Sequence, residues 1–256
     1  MILTRSQKTE ALVDFLKRDY ANNLYFFNYL DELSRPDVKA AVLTARENDA
    51  VALALLISPT HCCISTGNVR LIDAIADQIP PVESVHVLGR SDLTLKLLGV
   101  VRGPARKQKF YSFCKLNPAH LPPLKNPYSR KASPADLLVL LHLYKKSNIL
   151  ANHETRLPSI LASGTAYLVK QGHDAVSCAV TTTETPEMAM IGGIFTDEVH
   201  RNRGFARDCT VNLCRDLVAR QKEVYLFYEA GDPLLTRMYR NIGFEETGTW
   251  VVATQR

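Results

Sequence analysis

Apolar residues in the second half of the chain recur first every two positions and then every three to four, which predicts strands followed by helices. Ser133-Pro134-Ala135-Asp136 opens this half like a helix N-terminus, with a capping serine, a proline in the first position and an acid in the third. The predicted order is helix–helix–three strands–helix–strand–helix–strand. The elements are Leu137–Lys146, Asn152–Ala162, Thr165–Lys170, Ala175–Thr183, Met188–Thr196, Gly204–Arg220, Glu223–Glu229, Pro233–Asn241 and Glu245–Thr254.

The first half shows a similar succession of patterns. Thr9–Leu33 has apolar residues at helical spacing with a break near Ala21-Asn22-Asn23, which predicts two helices. Two β-rich runs flank Glu47-Asn48-Asp49 and predict a hairpin. The remaining predicted elements are strand Cys62–Ser65, helix Asn68–Ile79, strand Ser84–Leu88, helix Ser91–Leu98 and strand Lys107–Leu116.

A change in composition separates the two halves. Asn117–Tyr128 carries four prolines among polar residues, which is typical of an extended connector. The sequence therefore predicts a first domain over 1–116, a linker over 117–132 and a second domain over 133–256. The fold class expected from both halves is α/β (α+β), a mixed, twisted central sheet flanked by helices.

Composition and charge exclude several classes of protein. With 46% hydrophobic and 22% charged residues, the chain is typical of a globular protein, and no apolar run approaches the ~18 residues of a membrane span. The N-terminal residues mix charged and apolar side chains, unlike a signal peptide, so we expect a cytoplasmic protein. The net charge of +5 is spread over the chain, and basic residues do not interleave with aromatic ones as in nucleic-acid-binding proteins. We expect neither a nucleic-acid nor a membrane partner.

The cysteines and histidines offer little chemistry. None of the six cysteines lies in a C-x-x-C pair, so buried free thiols are expected rather than disulfides or a metal site. The histidines show no metal-ligand spacing, and we predict that no residue binds a metal. Gly-x-Ser-x-Gly and Walker motifs are also absent from the sequence.

The segment after Met188–Thr196 carries the clearest candidate chemistry. An apolar run leads through Arg201-Asn202-Arg203-Gly204-Phe205-Ala206 directly into a helical pattern. Backbone N–H groups without helical partners converge at such a turn, and the helix dipole adds partial positive charge. The sequence therefore predicts an anion site at the start of this helix.

This segment resembles the GNAT superfamily of acyl-CoA-dependent N-acyltransferases. Arg201, Gly204 and Ala206 match its pyrophosphate signature Arg/Gln-x-x-Gly-x-Gly/Ala, and Met238–Phe244 resembles its Leu-Tyr-x-x-x-Gly-Phe ending. Clear resemblance covers about the last quarter of the chain, and a plausible domain pattern reaches back to Ser133. The first half lacks the signature. It is either a degenerate copy of the same fold, which would make the chain a tandem of GNAT-like domains, or an unrelated α/β domain.

The resemblance implies how the co-substrate acetyl-CoA would bind. The backbone of Ile194, Phe195 and Thr196, at the end of a strand that splays from its neighbour, would hold the pantetheine arm. The turn would hold the pyrophosphate, with Gly204 allowing close approach of the backbone. The segment Arg203-Gly204-Phe205-Ala206-Arg207 would hold it mainly through backbone N–H groups, and the side chains of Arg201, Arg203 and Arg207 would add charge. Asp232 stands where the family often has an asparagine that contacts the cofactor, and an ionised carboxylate cannot donate that hydrogen bond.

The resemblance also implies catalytic roles. Tyr239 would donate a proton to the departing thiolate, although an aromatic residue at helical spacing can equally serve only for packing. No carboxylate stands in Met190–Gly193, where some relatives carry a base. Glu154, beside His153, and Glu229 are the alternatives, and water could also deprotonate the amine.

These observations predict an N-acetyltransferase that moves an acetyl group to a primary amine of a small molecule, amino acid or peptide. The alternative is an acyl-CoA-binding regulatory or interaction module with little or no turnover. A monomer or a homodimer is compatible with the sequence.

Overall fold

A computed structural model describes residues 1–30, 33, 39–123, 127–147, 157–163 and 165–255. The chain forms two compact units. Unit 1 comprises Met1–Phe113, Tyr228–Ala230 and Gly248–Arg256, and unit 2 comprises Cys114–Phe227 and Gly231–Thr247. None of the helices in the described ranges is long and apolar enough to cross a membrane.

Unit 1 is built on a sheet in which neighbours along the chain are neighbours in space. Strands β1 to β4 pair antiparallel in chain order, and β4 then pairs parallel with β5 over only two residue pairs. Its elements are β1 (Thr4–Ser6), α1 (Glu10–Lys17), α2 (Leu24–Leu30), β2 (Ala41–Glu47), β3 (Ala50–Ile57), β4 (His61–Thr66), α3 (Leu71–Ala74), β5 (His86–Arg90), α4 (Ser91–Val100) and most of β6 (Arg106–Leu116).

Unit 2 repeats this succession. Strands β7 to β10 pair antiparallel in chain order, and β10 pairs parallel with β11 over three residue pairs. Its elements are β7 (Arg130–Lys131), α5 (Leu137–Lys145), α6 (Leu157–Ser163), β8 (Ala166–Gln171), β9 (Asp174–Glu184), β10 (Met188–Thr196), α7 (Phe205–Ala219), β11 (Glu223–Glu229), α8 (Pro233–Arg240) and β12 (Phe244–Gln255), with the ends of β11 and β12 in unit 1.

The two halves therefore match element by element. Each runs strand–helix–helix–three strands–helix–strand–helix–strand, with antiparallel pairing up to the fourth strand and a short parallel pairing after it. They differ most at the helix after the fourth strand, which has 15 residues in α7 but only four in α3. The first half thus keeps the scaffold and lacks the long helix whose N-terminus forms the predicted anion site.

Strand β12 begins in unit 2 and ends in unit 1. There Trp250–Thr254 pairs antiparallel with His86–Arg90 of β5. The Trp250 ring is 1% exposed and stacks on Phe113 at 4.8 Å between centroids, and its Nε1–H donates to Asn22 Oδ1 at 2.6 Å. This buried indole completes the core of unit 1.

Local sequence explains where the elements begin and turn. Thr9 caps α1 by accepting a hydrogen bond from the Leu12 N–H at 3.3 Å. Asn48 and Asp49 take left-handed φ values of 48° and 63°, which a two-residue hairpin turn requires. At the start of the second half, the Ser133 N–H donates to the Asp136 carboxylate at 2.9 Å, so the predicted capping box forms, with a short 3-10 turn before α5.

The structure differs from the sequence predictions at one helix and two short strands, and it does not test the start of another predicted helix. The helix predicted over Asn68–Ile79 is reduced to α3 and a 3-10 turn at Ala76–Gln78, because Ile75 leaves the helical conformation with ψ near 3°. Strands β1 and β7 were not predicted, because both are short and largely exposed and so lack an apolar alternation. Asn152–Arg156, at the start of the predicted second helix of this half, lies outside the described residues.

Candidate active site

Strands β10 and β11 pair only at the start of their length. Their parallel register pairs Met188–Met190 with Glu223–Tyr225 and goes no further, although β10 continues to Thr196. Beyond Met190, β9 is the only strand of the described ranges that pairs with β10. Within those ranges no strand pairs with the edge of Ile191–Thr196 that faces away from β9, and an extended ligand can add to such an edge as a further strand would.

A β-bulge lies within this part of β10. Gly192 pairs with Val180 and Phe195 with Cys178, so two residues of β10 oppose one of β9. Gly193, inside the bulge, has a φ of +54°. A Cβ at this position would lie 2.9 Å from the Tyr144 hydroxyl oxygen, so only glycine fits.

Tyr144 of α5 fixes the bulge from behind. Its hydroxyl donates to the Gly193 carbonyl oxygen at 2.8 Å, and the Cys178 thiol lies 3.6 Å from the same oxygen. Burial, and then the neighbouring Cys178, raise the pKa of Tyr144 well above its usual value. Burial raises the pKa of Cys178 to about 12. Both groups therefore stay protonated near neutral pH, and the tyrosine serves as a neutral donor to the strand.

The turn that follows β10 is shaped by two left-handed residues. Asn202 has a φ of 63° and Gly204 a φ of 80°. The Arg201 guanidinium folds back and donates from Nε to the Thr196 carbonyl oxygen at 3.3 Å, which ties the signature arginine to the end of the strand. A Cβ on Gly204 would meet nothing within 4 Å, so this glycine supplies the backbone conformation and leaves open space in front of the helix.

Helix α7 begins at this turn with unpaired donors. The first helical hydrogen bond runs from the Asp208 N–H to the Gly204 carbonyl oxygen at 2.9 Å, and no side chain caps Gly204. Among the described residues, the N–H groups of Phe205, Ala206 and Arg207 have no acceptor. These donors and the dipole of a 15-residue helix are the features that the predicted anion site requires, and its binding of a pyrophosphate stays a prediction.

Two acidic side chains beside the turn form ion pairs with basic ones. Asp197, next to the strand end, pairs with Lys146 at 2.6 Å, and this hydrogen bond lowers the pKa of Asp197. Glu198 pairs with Arg201 at 3.3 Å. The side chain of Arg203 is exposed beside the turn. His200 Nδ1 is buried there without a hydrogen-bond partner in the described part of the chain.

The side chains of Phe195 and Phe205 are buried, so these two predicted binding residues offer only their backbone to a ligand. Phe195 is 7% exposed and packs in the core around α5, and Phe205 is 5% exposed. Ile194 and Thr196, on either side of Phe195, are half-buried, and the Thr196 hydroxyl lies 2.8 Å from that of Ser177. The structure thus brings the strand end, the arginine turn and the helix start together as the sequence predicts.

Asp232 stabilises the start of helix α8. Its Oδ1 accepts hydrogen bonds from the N–H groups of Leu234 at 2.8 Å and Leu235 at 3.0 Å, so it is the N-cap of α8. This explains why an aspartate suits a position where a donor was expected. Its contact with a cofactor stays a prediction.

Tyr239 lies on α8 and is 6% exposed. Its ring packs edge-on against Phe244, with 6.0 Å between centroids. Both aromatic residues of the second motif thus contribute to packing, and the proton-donor role of Tyr239 stays a prediction.

The roles of the candidate bases stay predictions. Glu229, at the end of β11, belongs to unit 1, where it forms a 2.7 Å ion pair with Lys109. Glu154 and His153 lie outside the described residues.

Sequence analysis missed Tyr144 as a site residue. It lies in a predicted helix, and only the Gly192-Gly193 pair signals that something approaches the strand closely there. It also missed Asp208, a 6% exposed acid in α7 that accepts from the Tyr128 and Ser129 N–H groups at 3.2 and 2.8 Å.

Comparisons with known proteins agree with this geometry. The family described as FR47-like protein matches residues 169–252, which contain the bulge, the turn and α7. No curated protein matches the chain in sequence. An acetyltransferase from the GNAT family of Colwellia psychrerythraea superposes with a TM-score of 0.67 at 11% identity, over 100% of both chains. The chain has the GNAT fold.

Further solved structures extend the likeness to both halves. A GCN5-related N-acetyltransferase from Sphaerobacter thermophilus has a TM-score of 0.63 at 15% identity, covering 98% of this chain and 94% of its own. A tandem GNAT protein from the clavulanic acid biosynthesis pathway has a TM-score of 0.59 at 10% identity, with 98% of this chain and 97% of its own covered. Of the two alternatives that the sequence leaves open for the first half, this likeness in fold supports the tandem of GNAT-like halves.

Proposed function

We propose that the protein is an N-acetyltransferase that moves an acetyl group from acetyl-CoA to a primary amine of a small molecule, amino acid or peptide. The observation that carries this proposal is the continuity between the unpaired edge of Ile191–Thr196 and the unpaired N–H groups of Phe205–Arg207. An extended amide-bearing arm and a pyrophosphate joined end to end would satisfy both. Acetyl-CoA has this construction.

Positioning would supply most of the rate acceleration. Holding the thioester and the amine in line is worth up to ~7–11 kcal/mol, since it replaces a bimolecular encounter. The amine nitrogen attacks the thioester carbonyl carbon, and backbone N–H groups of β10 polarise the carbonyl oxygen. The carbon–sulfur bond then breaks, and the Tyr239 hydroxyl protonates the leaving thiolate. The amine loses its proton to water or to one of the carboxylates Glu154 and Glu229.

Two observations favour a second candidate function. In it, the protein is an acyl-CoA-binding module with little turnover. Asp232 caps α8 where the resemblance leads one to expect an amide donor, and no carboxylate stands on β10. The test is to incubate the protein with acetyl-CoA and a panel of small amines, amino acids and peptides, and to follow release of free thiol. Amine-dependent release supports the enzyme. Tight acetyl-CoA binding without release for any amine supports the module, and absence of binding contradicts both.

The acceptor, the quaternary state and the location are expectations attached to this proposal. We propose a small-molecule or peptide amine as the partner and a monomer or homodimer in the cytoplasm. Light scattering and fractionation would test the last two.

A further inference from the structure

A tyrosine stands exposed beside the anion site. Tyr128 leaves 64% of its surface in water. Its ring meets the Phe205 ring edge-on, with 5.2 Å between centroids and 69° between planes. The Tyr128 ring is thus held by Phe205 on one side, and much of its surface remains exposed to water.

The backbone around Tyr128 is fixed to α7. Asp208, 6% exposed, accepts hydrogen bonds from the N–H groups of Tyr128 and Ser129. Ser129 Oγ in turn accepts from Asn212 Nδ2 at 2.8 Å. Three hydrogen bonds to Asp208 and Asn212 of one helix therefore hold the backbone that carries the ring before any ligand binds.

The ring lies on the side of α7 where phosphates would bind. The Phe205 N–H is one of the unpaired donors in the first turn of α7, and the Phe205 ring packs against Tyr128. Side chains on a helix tilt towards its N-terminus, so the Phe205–Tyr128 pair stands next to the unpaired donors. A flat, apolar group attached to a bound pyrophosphate through one sugar would reach this place.

We propose that Tyr128 is the stacking platform for the adenine base of CoA. This inference rests on the proposed function and adds a site for the nucleotide end of the co-substrate. Adenine stacks on aromatic rings, and such a contact is worth ~1–3 kcal/mol per base. Tyr128 would thus favour CoA thioesters over shorter pantetheine thioesters without touching the acetyl group.

Calorimetry with two probes tests the proposal. CoA contains adenosine, whereas 4′-phosphopantetheine keeps the pantetheine arm and one phosphate but has no base. Tyr128→Leu should weaken CoA binding between about fivefold and about a hundredfold, which corresponds to ~1–3 kcal/mol, and leave 4′-phosphopantetheine binding unchanged. Tyr128→Phe keeps a ring and should bind both like the parent protein. Phe110→Leu, at another exposed aromatic residue, is the matched control.

The outcomes separate the proposals. If Tyr128→Leu weakens both probes equally, the tyrosine only supports the turn through Phe205, and the stacking proposal is wrong. Unchanged CoA affinity in Tyr128→Leu overturns it as well. In both cases CoA binding by the parent protein leaves the proposed function intact. A parent protein that binds neither probe would overturn both proposals.

Discussion

The Tyr144 hydroxyl donates a 2.8 Å hydrogen bond to the Gly193 carbonyl oxygen, and this bond ties helix α5 to the bulge in β10. The bulge lies on the part of β10 that β11 does not pair. A tyrosine from a neighbouring helix therefore shapes the strand edge to which the pantetheine arm would add.

Gly193→Ala tests this shape. Its Cβ would approach both the Tyr144 hydroxyl oxygen and Val180 Cγ2 to 2.9 Å at a φ of +54°. We expect the free energy of unfolding to fall by about 2 kcal/mol or more, from left-handed strain and overpacking together. Acetyl-CoA affinity should fall with it. Gly172→Ala is the matched control, because Gly172 has a φ of +61° and open space around it. Equal losses of stability in the two variants, measured by urea denaturation, would contradict the packing argument.

Gly204→Glu should abolish acetyl-CoA binding while the fold survives. The new carboxylate would occupy the open space in front of α7 and repel the pyrophosphate. Gly172→Glu adds the same charge and similar backbone strain in the turn between β8 and β9, and should bind acetyl-CoA normally. Calorimetry on variants with native circular dichroism decides. Retained affinity in Gly204→Glu would rule out the anion site.

Tyr239→Phe should lower kcat far more than it weakens acetyl-CoA binding. The ring and its contact with Phe244 remain, and only the hydroxyl is lost. General-acid assistance is typically worth ~10²–10⁴-fold. Steady-state kinetics beside calorimetry measure the two effects, with a burst experiment to test whether product release limits the rate. Turnover at the parent rate, with chemistry limiting, would make Tyr239 a packing residue.

Asp232→Ala should lower the free energy of unfolding by about 1 kcal/mol, since α8 loses its N-cap. Asp232→Asn can still accept from the Leu234 and Leu235 N–H groups and should keep most of the stability. Thermal denaturation compares the three proteins. If both variants kept full stability and bound acetyl-CoA less tightly, the residue would be a cofactor contact rather than a cap.

Unit 1 should lose stability in mild acid through His86. Burial lowers the pKa of His86, and its buried Nδ1 has no hydrogen-bond partner among the described residues. The unfolded chain titrates near ~6.5, so stability is full above that pH and falls as the pH drops towards the folded pKa. His86→Gln should reduce this dependence between pH 8 and 5.5 in urea titrations, whereas exposed His173→Gln should not. The same pH dependence in His86→Gln and the parent protein would exclude His86 as its source.

The elements with a strong apolar period were predictable from the sequence. Met188–Thr196 and Glu223–Glu229 have the predicted bounds as strands β10 and β11, because each contains a run of three buried residues near its start. The short strand at Arg130–Lys131 was not predictable, since both residues are exposed and its existence depends on pairing with β8. Pairing between distant segments leaves no local signal in the sequence.

The same distinction between local and long-range contacts applies to the candidate site. The turn around Gly204 is local, so its motif predicted the helix that follows, whereas the left-handed φ of Gly204 comes from the structure. The contact of Tyr144 with Gly193 joins residues 49 positions apart, and the sequence signals only that something approaches the glycine pair, not which residue does so. Tyr128 likewise reaches Phe205 only through the fold. A motif identifies the atoms that bind a ligand, whereas the residues that hold those atoms in position become visible only in three dimensions.

Trp250 carries a consequence for how the protein is made. The indole fills the core of unit 1, but the ribosome adds it only after the whole of residues 114–247. At ~5–20 residues per second, the nascent first unit waits on the order of ten seconds for its last strand. During that time β5 lacks its β12 neighbour, and Asn22 lacks its indole partner. The first half to be synthesised is therefore among the last to be finished, and the edge of β5 stays open to other unpaired strands until then.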